Sequence, residues 1–274
     1  MIFQASQAIL FYTFSILLVF YFILVCVIGI YLLIRGYQRN LNNIMIMGLA
    51  FLAMTLGFLA QFFIETHGFL IREILVLIGF IFFIIFTNST FYKQHERNLG
   101  TYVLILGIAF AGIQLIFQIL VDYILPDDRI IHYTKIALDL PFNLLVFNWM
   151  AFASFSAFKR IKNESIAPWI KTRYKFIALS SLIMSFHSIP EFFQPFEITI
   201  GDFTNLQSLI VFGIIALISL TFVILFGLAW IMPQWFKNHL NKNYEPIEEV
   251  SYSEKELMEL IRNQISKRGL YGNN

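Results

Sequence analysis

The sequence predicts an all-α integral membrane protein: a seven-transmembrane-helix bundle with its N-terminus outside, its C-terminus cytoplasmic, and a short amphipathic C-terminal helix. Three observations predict it. The 274 residues are 58% hydrophobic, 18% aromatic and only 13% charged, where an ordinary soluble domain is about 25% charged. The mean hydropathy of +0.73 is too high for one soluble core, because the surplus apolar surface would face water. Apolar runs of about 20 residues recur, the length a helix needs to cross the hydrocarbon layer. Together these exclude a soluble enzyme, a disordered chain and a secreted disulfide scaffold. The net charge of +2 gives no footprint for nucleic acid.

Seven spans follow in order, at 8–34, 44–64, 69–91, 101–121, 134–158, 176–196 and 206–232. They are twice the length of β-barrel strands and do not alternate, so they read as helices. The first is too long and lacks the basic start of a cleaved signal peptide, so it reads as a retained span. The lone cysteine, Cys26, lies inside it and has no intrachain partner. Residues 1–232 form the membrane domain and 233–274 a cytoplasmic tail.

Orientation follows from Lys and Arg in the short loops. Odd loops hold Arg35, Arg39, Lys93, Arg97, Lys159, Arg160, Lys162, Lys171, Arg173 and Lys175, whereas even loops hold only Arg72, Arg129 and Lys135. The odd loops and tail therefore face the cytoplasm, which fits a multi-pass protein of the plasma membrane. In the tail, Ser253 and Glu256 make a capping box. Leu257, Leu260, Ile261 and Ile265 then repeat at helical spacing, and Gly269 supplies a stop, giving an amphipathic helix over about 254–268. It either rests on the inner leaflet or bundle, or docks a cytoplasmic partner. The basic segment 159–175 has the same two readings: attraction to anionic lipid, or partner docking.

Polar residues inside the spans carry the functional signal. Span four has Gly107, Ala111, Gln114, Gln118 and Asp122 on one face, and span two has Ala53, Gly57, Gln61 and Glu65. Small residues let helices approach closely. Polar ones in hydrocarbon turn toward the bundle interior or a watery cavity, since facing lipid leaves them unsatisfied. Span five adds Asp139 and Asn143, span six His187, Glu191 and Gln194, span three Arg72 and Glu73, and span seven Gln207. Span one has almost nothing polar at depth and is expected at the periphery. The result is a polar, outward-facing vestibule over a dry inner half.

Each candidate has a plainer reading. Glu65, Arg72, Glu73 and Asp122 lie near the boundary, where charges snorkel at little cost. Gln114 and Gln118 could be interhelical glue. His187 could form a structural pair with Asp139 or Glu191. The same three residues are the only candidates for a metal, a thin set of one His and two carboxylates. No G-x-S-x-G, H-E-x-x-H or phosphate loop occurs, so an enzyme is not expected.

Seven spans with an outside N-terminus resembles, in topology, the microbial rhodopsins, the G-protein-coupled receptors and the seven-helix input regions of histidine kinases. A retinal Schiff base needs a lysine in span seven, and 206–232 has none, so no retinal and no other cofactor is expected. The receptors' disulfide cannot form, and no output domain follows span seven. No family is assigned. The expected function is a heptahelical sensor or receptor-like protein. An extracytoplasmic small molecule would bind at Gln61, Arg72, Gln114, Gln118, Asp139, Asn143, His187 and Glu191. The alternative is a small-solute or proton-coupled transporter, which would need a polar seam through Asn148, Ser154, Ser156, Ser180 and Ser181.

Overall fold

A computed structural model describes residues 2–64, 67–92, 97–198, 200–202, 204–242, 244, 256, 258–259 and 262. Among the described residues all regular structure is helical: α1 (Ile2–Gln38), α2 (Asn42–Phe63), α3 (Gly68–Phe91), α4 (Arg97–Ile119), α5 (Arg129–Ile161), α6 (Pro168–Met184), α7 (Leu206–Ile231) and α8 (Gln234–Leu240). A π turn, Leu120–Ile124, extends α4, and a 3-10 turn, Pro190–Phe193, follows α6. Six helices are long and apolar enough to cross a membrane: α1 to α5 and α7. The chain is a multi-pass membrane protein.

The expected sixth span, 176–196, takes a different form. Its α-helix starts earlier, at Pro168, and ends at Met184. Seventeen residues rise about 25 Å, short of the ~30 Å hydrocarbon layer. The cause is Pro190. Its ring would clash with the carbonyl of Phe186 and it has no N–H to give, which kinks or breaks an α-helix, and here the helix ends before it. The chain instead turns through 185–189 and opens the 3-10 turn with Pro190. Pro141 sits inside α5, which continues past it.

The helices pack as a closed ring in chain order, α7 returning to α1, with α3 also touching α5 across the interior. Many Ile and Leu side chains turn outward, as Ile9, Ile16, Ile23 and Ile30 of α1 do, the arrangement lipid favours. Although span one was expected at the periphery, α4 buries a smaller share of its length than α1 does. The interior is aromatic. Phe51, Phe83, Phe147, Phe222 and Phe226 are fully buried. Their rings interlock, with centroids 5.3 Å apart for Phe51–Phe83 and Phe51–Phe226, and 5.6 Å for Phe147–Phe222. Such pairs add about 0.5–1.5 kcal/mol each beyond area burial.

α1 and α2 approach closely. A Cβ at Gly48 would lie 2.8 Å from the Leu33 amide nitrogen and 2.9 Å from the Gly29 carbonyl oxygen. The small-residue stripe singled out on span two does something else. A Cβ at Gly57 would meet the Arg72 carbonyl oxygen at 3.0 Å, so Gly57 seats α2 against the backbone that carries a charged residue of the candidate site. Glu65, the last member of that stripe, lies outside the described residues, as do Ser253, Leu257, Leu260, Ile261, Ile265 and Gly269 of the tail helix. In the tail, Glu256, Met258, Glu259 and Arg262 are helical, and Met258 packs against the main core.

At the end of the bundle carrying α8, several cations are held on the protein. Arg173 lies 4.1 Å from the Trp230 ring, and Lys237 4.9 Å from the Trp169 ring. Lys171 donates to the carbonyls of Lys162 and Glu164. Arg35 donates to the Trp230 carbonyl at 2.9 Å, capping the C-terminal end of α7, where positive charge is favoured.

Candidate functional site

The other end of the bundle gathers charge. Lys135 and Asp139 lie one turn apart on α5, and the Lys135 ammonium sits 3.6 Å from the Asp139 carboxylate. On α3, Arg72 donates to Gln61 of α2 at 3.0 Å and lies 3.8 Å from the carboxylate of its neighbour Glu73. Beyond the broken α6, His187 in the turn is 4.0 Å from Glu191 in the 3-10 turn. Glu191 is where it is because Pro190 stopped the helix and re-aimed the chain.

These groups form one electrostatic unit. Lys135 interacts with Asp139, Glu73 and Glu191 and is opposed by Arg72; Glu191 in turn feels Asp139, Lys135, Arg72 and Glu73. Three chain segments thus converge: the start of α3, the first turns of α5 and the stretch after α6. The Lys135, Asp139, Arg72 and Glu191 side chains keep 16%, 17%, 25% and 21% exposure. They are lodged among helices yet partly exposed.

Aromatic contacts fix the register beneath this cluster. Phe142 of α5 lies 5.6 Å from Phe80 of α3 and 6.3 Å from Phe110 of α4. Trp149 donates to Asn88 at 2.8 Å, so α3 and α5 run parallel. Stepping two helical turns back from Phe80 and Phe142 gives Glu73 and Lys135, which therefore face each other. On α4, which runs antiparallel to α5, stepping forward from Phe110 gives Gln114 at the level of Asp139 and Gln118 at the level of Lys135. The stack reads, from the end inward: charges with the Gln118 and Gln114 amides at their level, then the aromatic plug.

The amides are only partly satisfied. Gln114 is fully buried, and neither its amide nitrogen nor its oxygen has a hydrogen-bond partner. Gln118 donates to Asp122 at 2.7 Å, but its own oxygen has no partner. Asn143 donates to the Ser188 hydroxyl and, at 3.0 Å, to the Asp139 carbonyl, while its oxygen Oδ1 has none. Buried polar atoms without partners are uncommon, since each costs about 1–3 kcal/mol.

The frame around the cluster is built from short polar contacts. Asp128 caps α5, accepting from the amides of Ile130 and Ile131 at 2.8 and 3.1 Å. Gln194 donates to the Ile198 carbonyl and the Ser208 hydroxyl, tying the segment after α6 to α7. Gln207 donates to the Phe193 carbonyl and Arg129 pairs with Glu197. In the following turn the Thr204 hydroxyl and amide both donate to Asp202, holding its carboxyl below the ordinary carboxylate range.

Of the residues the sequence singled out, Gln61, Arg72, Asp139, His187 and Glu191 meet in the charge cluster, while Gln114 and Gln118 lie level with it on α4 and Asn143 one turn deeper on α5. His187 lies by Glu191, whereas Asp139 faces Lys135. Sequence reasoning undervalued Glu73, read as a boundary charge, and Lys135, counted only among the loop charges, and it did not single out Ser188. The available signal was the Lys135–Asp139 spacing of four, which puts opposite charges on one face. Among the described residues no group of three or more His, Cys, Asp or Glu side chains is placed so that it could hold a metal ion.

No family model matches the chain, and no curated protein or solved structure matches it.

Proposed function

We propose that the protein is a heptahelical sensor of the plasma membrane, with α6 and its continuation forming a seventh, broken span. The end bearing the charge cluster faces outward, and a small extracytoplasmic molecule enters there. One observation carries the reading: a partly exposed group of charges and unsatisfied amides lies directly above a dry plug of interlocked phenylalanines. Charges at this depth are costly, so a functional role is their default explanation. A chamber closed at one end suits binding and signalling. The plug meets the cations around α8, and a shift of α5 or α6 on ligand binding would be felt there.

A small-solute transporter would need a wet route past the plug. Part of the seam expected for one is taken up, since the hydroxyls of Ser180 and Ser181 both donate to the Ile177 carbonyl on their own helix. Ser154 is fully buried without a partner. Single cysteines in a Cys26→Ser background test the reading. Glu191→Cys should react with a membrane-impermeant thiol reagent from outside intact cells, and Ser154→Cys from neither side. Labelling of Glu191→Cys only from the cytoplasmic side, or of Ser154→Cys from either, overturns the sensor reading.

A further inference from the structure

We infer that the group recognised in this chamber is a small organic cation, a protonated amine, received by Glu191 with its hydrogen-bonding remainder against Gln114. The inference rests on the proposed outward-facing chamber and names the chemical class it takes.

The first argument is a count of charge. The mutually interacting groups are two cations, Arg72 and Lys135, and three carboxylates, Glu73, Asp139 and Glu191. One carboxylate is left over. Position says which: Lys135 is 3.6 Å from Asp139 and Arg72 is 3.8 Å from Glu73, so each of those carboxylates has a cation beside it. Among the described residues Glu191 has no cation within 4 Å except the His187 ring, at 4.0 Å and beyond hydrogen-bond reach, and feels Lys135 and Arg72 only at longer range. A buried carboxylate without a cation is costly, and an ammonium ion from outside would supply the missing charge with a charge-assisted hydrogen bond.

The second argument is independent of charge. Gln114 is fully buried with both amide atoms unpartnered, and the α4–α5 register places it at the level of Asp139. An amide there offers one donor and one acceptor to a polar ligand. Asn143 Oδ1, also unpartnered, lies one turn deeper on α5.

An anion fits poorly. Arg72, the obvious receiver for a ligand carboxylate, already donates to Gln61 and adjoins Glu73, and an anion would meet three carboxylates. A binder that discriminates by charge does so chiefly through such like-charge repulsion.

The test uses the full chain in lipid nanodiscs and three solutes of nearly equal size: ethanolamine as the cation, glycolate as the anion and ethylene glycol as the neutral control. Ethanolamine should raise the melting temperature saturably, with no shift from the other two. Glu191→Gln should weaken the apparent affinity about thirtyfold, the loss expected on removing one partner of a buried charge pair. Glu197→Gln, an equal charge change on the exposed pair with Arg129, should leave it intact. Because Glu191→Gln could perturb folding, Glu73→Gln is the second variant and should also weaken the shift. A saturable glycolate shift lost in Arg72→Gln would overturn the cation inference and leave the chamber standing. So would no shift from any solute, or an ethanolamine shift unaltered by Glu191→Gln. Failure of the chamber itself is read separately, from the cysteine labelling.

Discussion

Replacing Lys135 by Met should be among the most damaging changes at the site, and Asp139→Asn should rescue part of the loss. The two charges are 3.6 Å apart and about one-sixth exposed. At the effective dielectric of about 20 that describes such positions, their attraction is about 5 kcal/mol before desolvation is counted. Removing the ammonium leaves Asp139, Glu73 and Glu191 facing only Arg72, so the local excess rises from one negative charge to two. Breaking one partner of a buried pair costs about 3–5 kcal/mol, and the residual exposure favours the lower figure. Asp139→Asn alone leaves Lys135 with Glu73 and Glu191 still near, so its cost should be smaller, about 1–2 kcal/mol. The double variant restores an excess of one, since Arg72 then faces Glu73 and Glu191. It should recover about 2 kcal/mol relative to the sum of the singles. The assay is a double-mutant cycle on reversible unfolding in mixed detergent micelles. Additivity within about 0.5 kcal/mol would refute the pairing and the view of the cluster as one electrostatic unit.

Two further outcomes are expected. Gly48→Ala should cost about 1–3 kcal/mol in the same unfolding assay, because its methyl would press on two backbone atoms that cannot swing away, at 2.8 and 2.9 Å. Gly112→Ala, where no atom lies within 4 Å of the added carbon, should change stability by less than about 0.5 kcal/mol; equal effects at both would mean α1 and α2 are not in close contact. The Asp202 turn should titrate in a defined direction. Its carboxyl is held low by two donors from Thr204, so its contribution is present above the unfolded carboxylate value and lost as pH falls through the depressed one. Thr204→Val removes the hydroxyl donor and should raise the Asp202 titration midpoint, read by carbon NMR; an unmoved midpoint would rule out that hydrogen bond.

The membrane class and most helices were legible because lipid imposes a single rule on every span: apolar outside, polar inside. That rule placed Gln114 and Gln118 on the buried face of α4 before any coordinates, and the structure buries both. It also set the approximate ends of α2, α3 and α7, where apolar runs stop at turn residues. It failed at span six. Hydropathy there runs on through 176–196, but hydropathy does not register that Pro190 cannot donate a hydrogen bond. Pro190 was visible, and the local geometry should have overruled the average. The close α1–α2 contact was equally hidden, since Gly29 and Gly48 lie on different helices and nothing in the sequence pairs them.

The site was half legible for a related reason. Sequence spacing reports which residues share a face of one helix, and so found Asp139 with Asn143 and His187 with Glu191. It cannot report which faces meet across the bundle. Lys135 and Glu73, each ordinary as a boundary charge, become parts of a site only because Phe80 packs on Phe142 at 5.6 Å and sets α3 against α5 in that register. A shift of one helical turn at that ring contact would move Glu73 by about 5 Å along the axis and take it out of reach of Lys135. The aromatic plug therefore does two things for the charges above it. It closes the inner half of the bundle, and it holds the helix register on which the whole cluster depends.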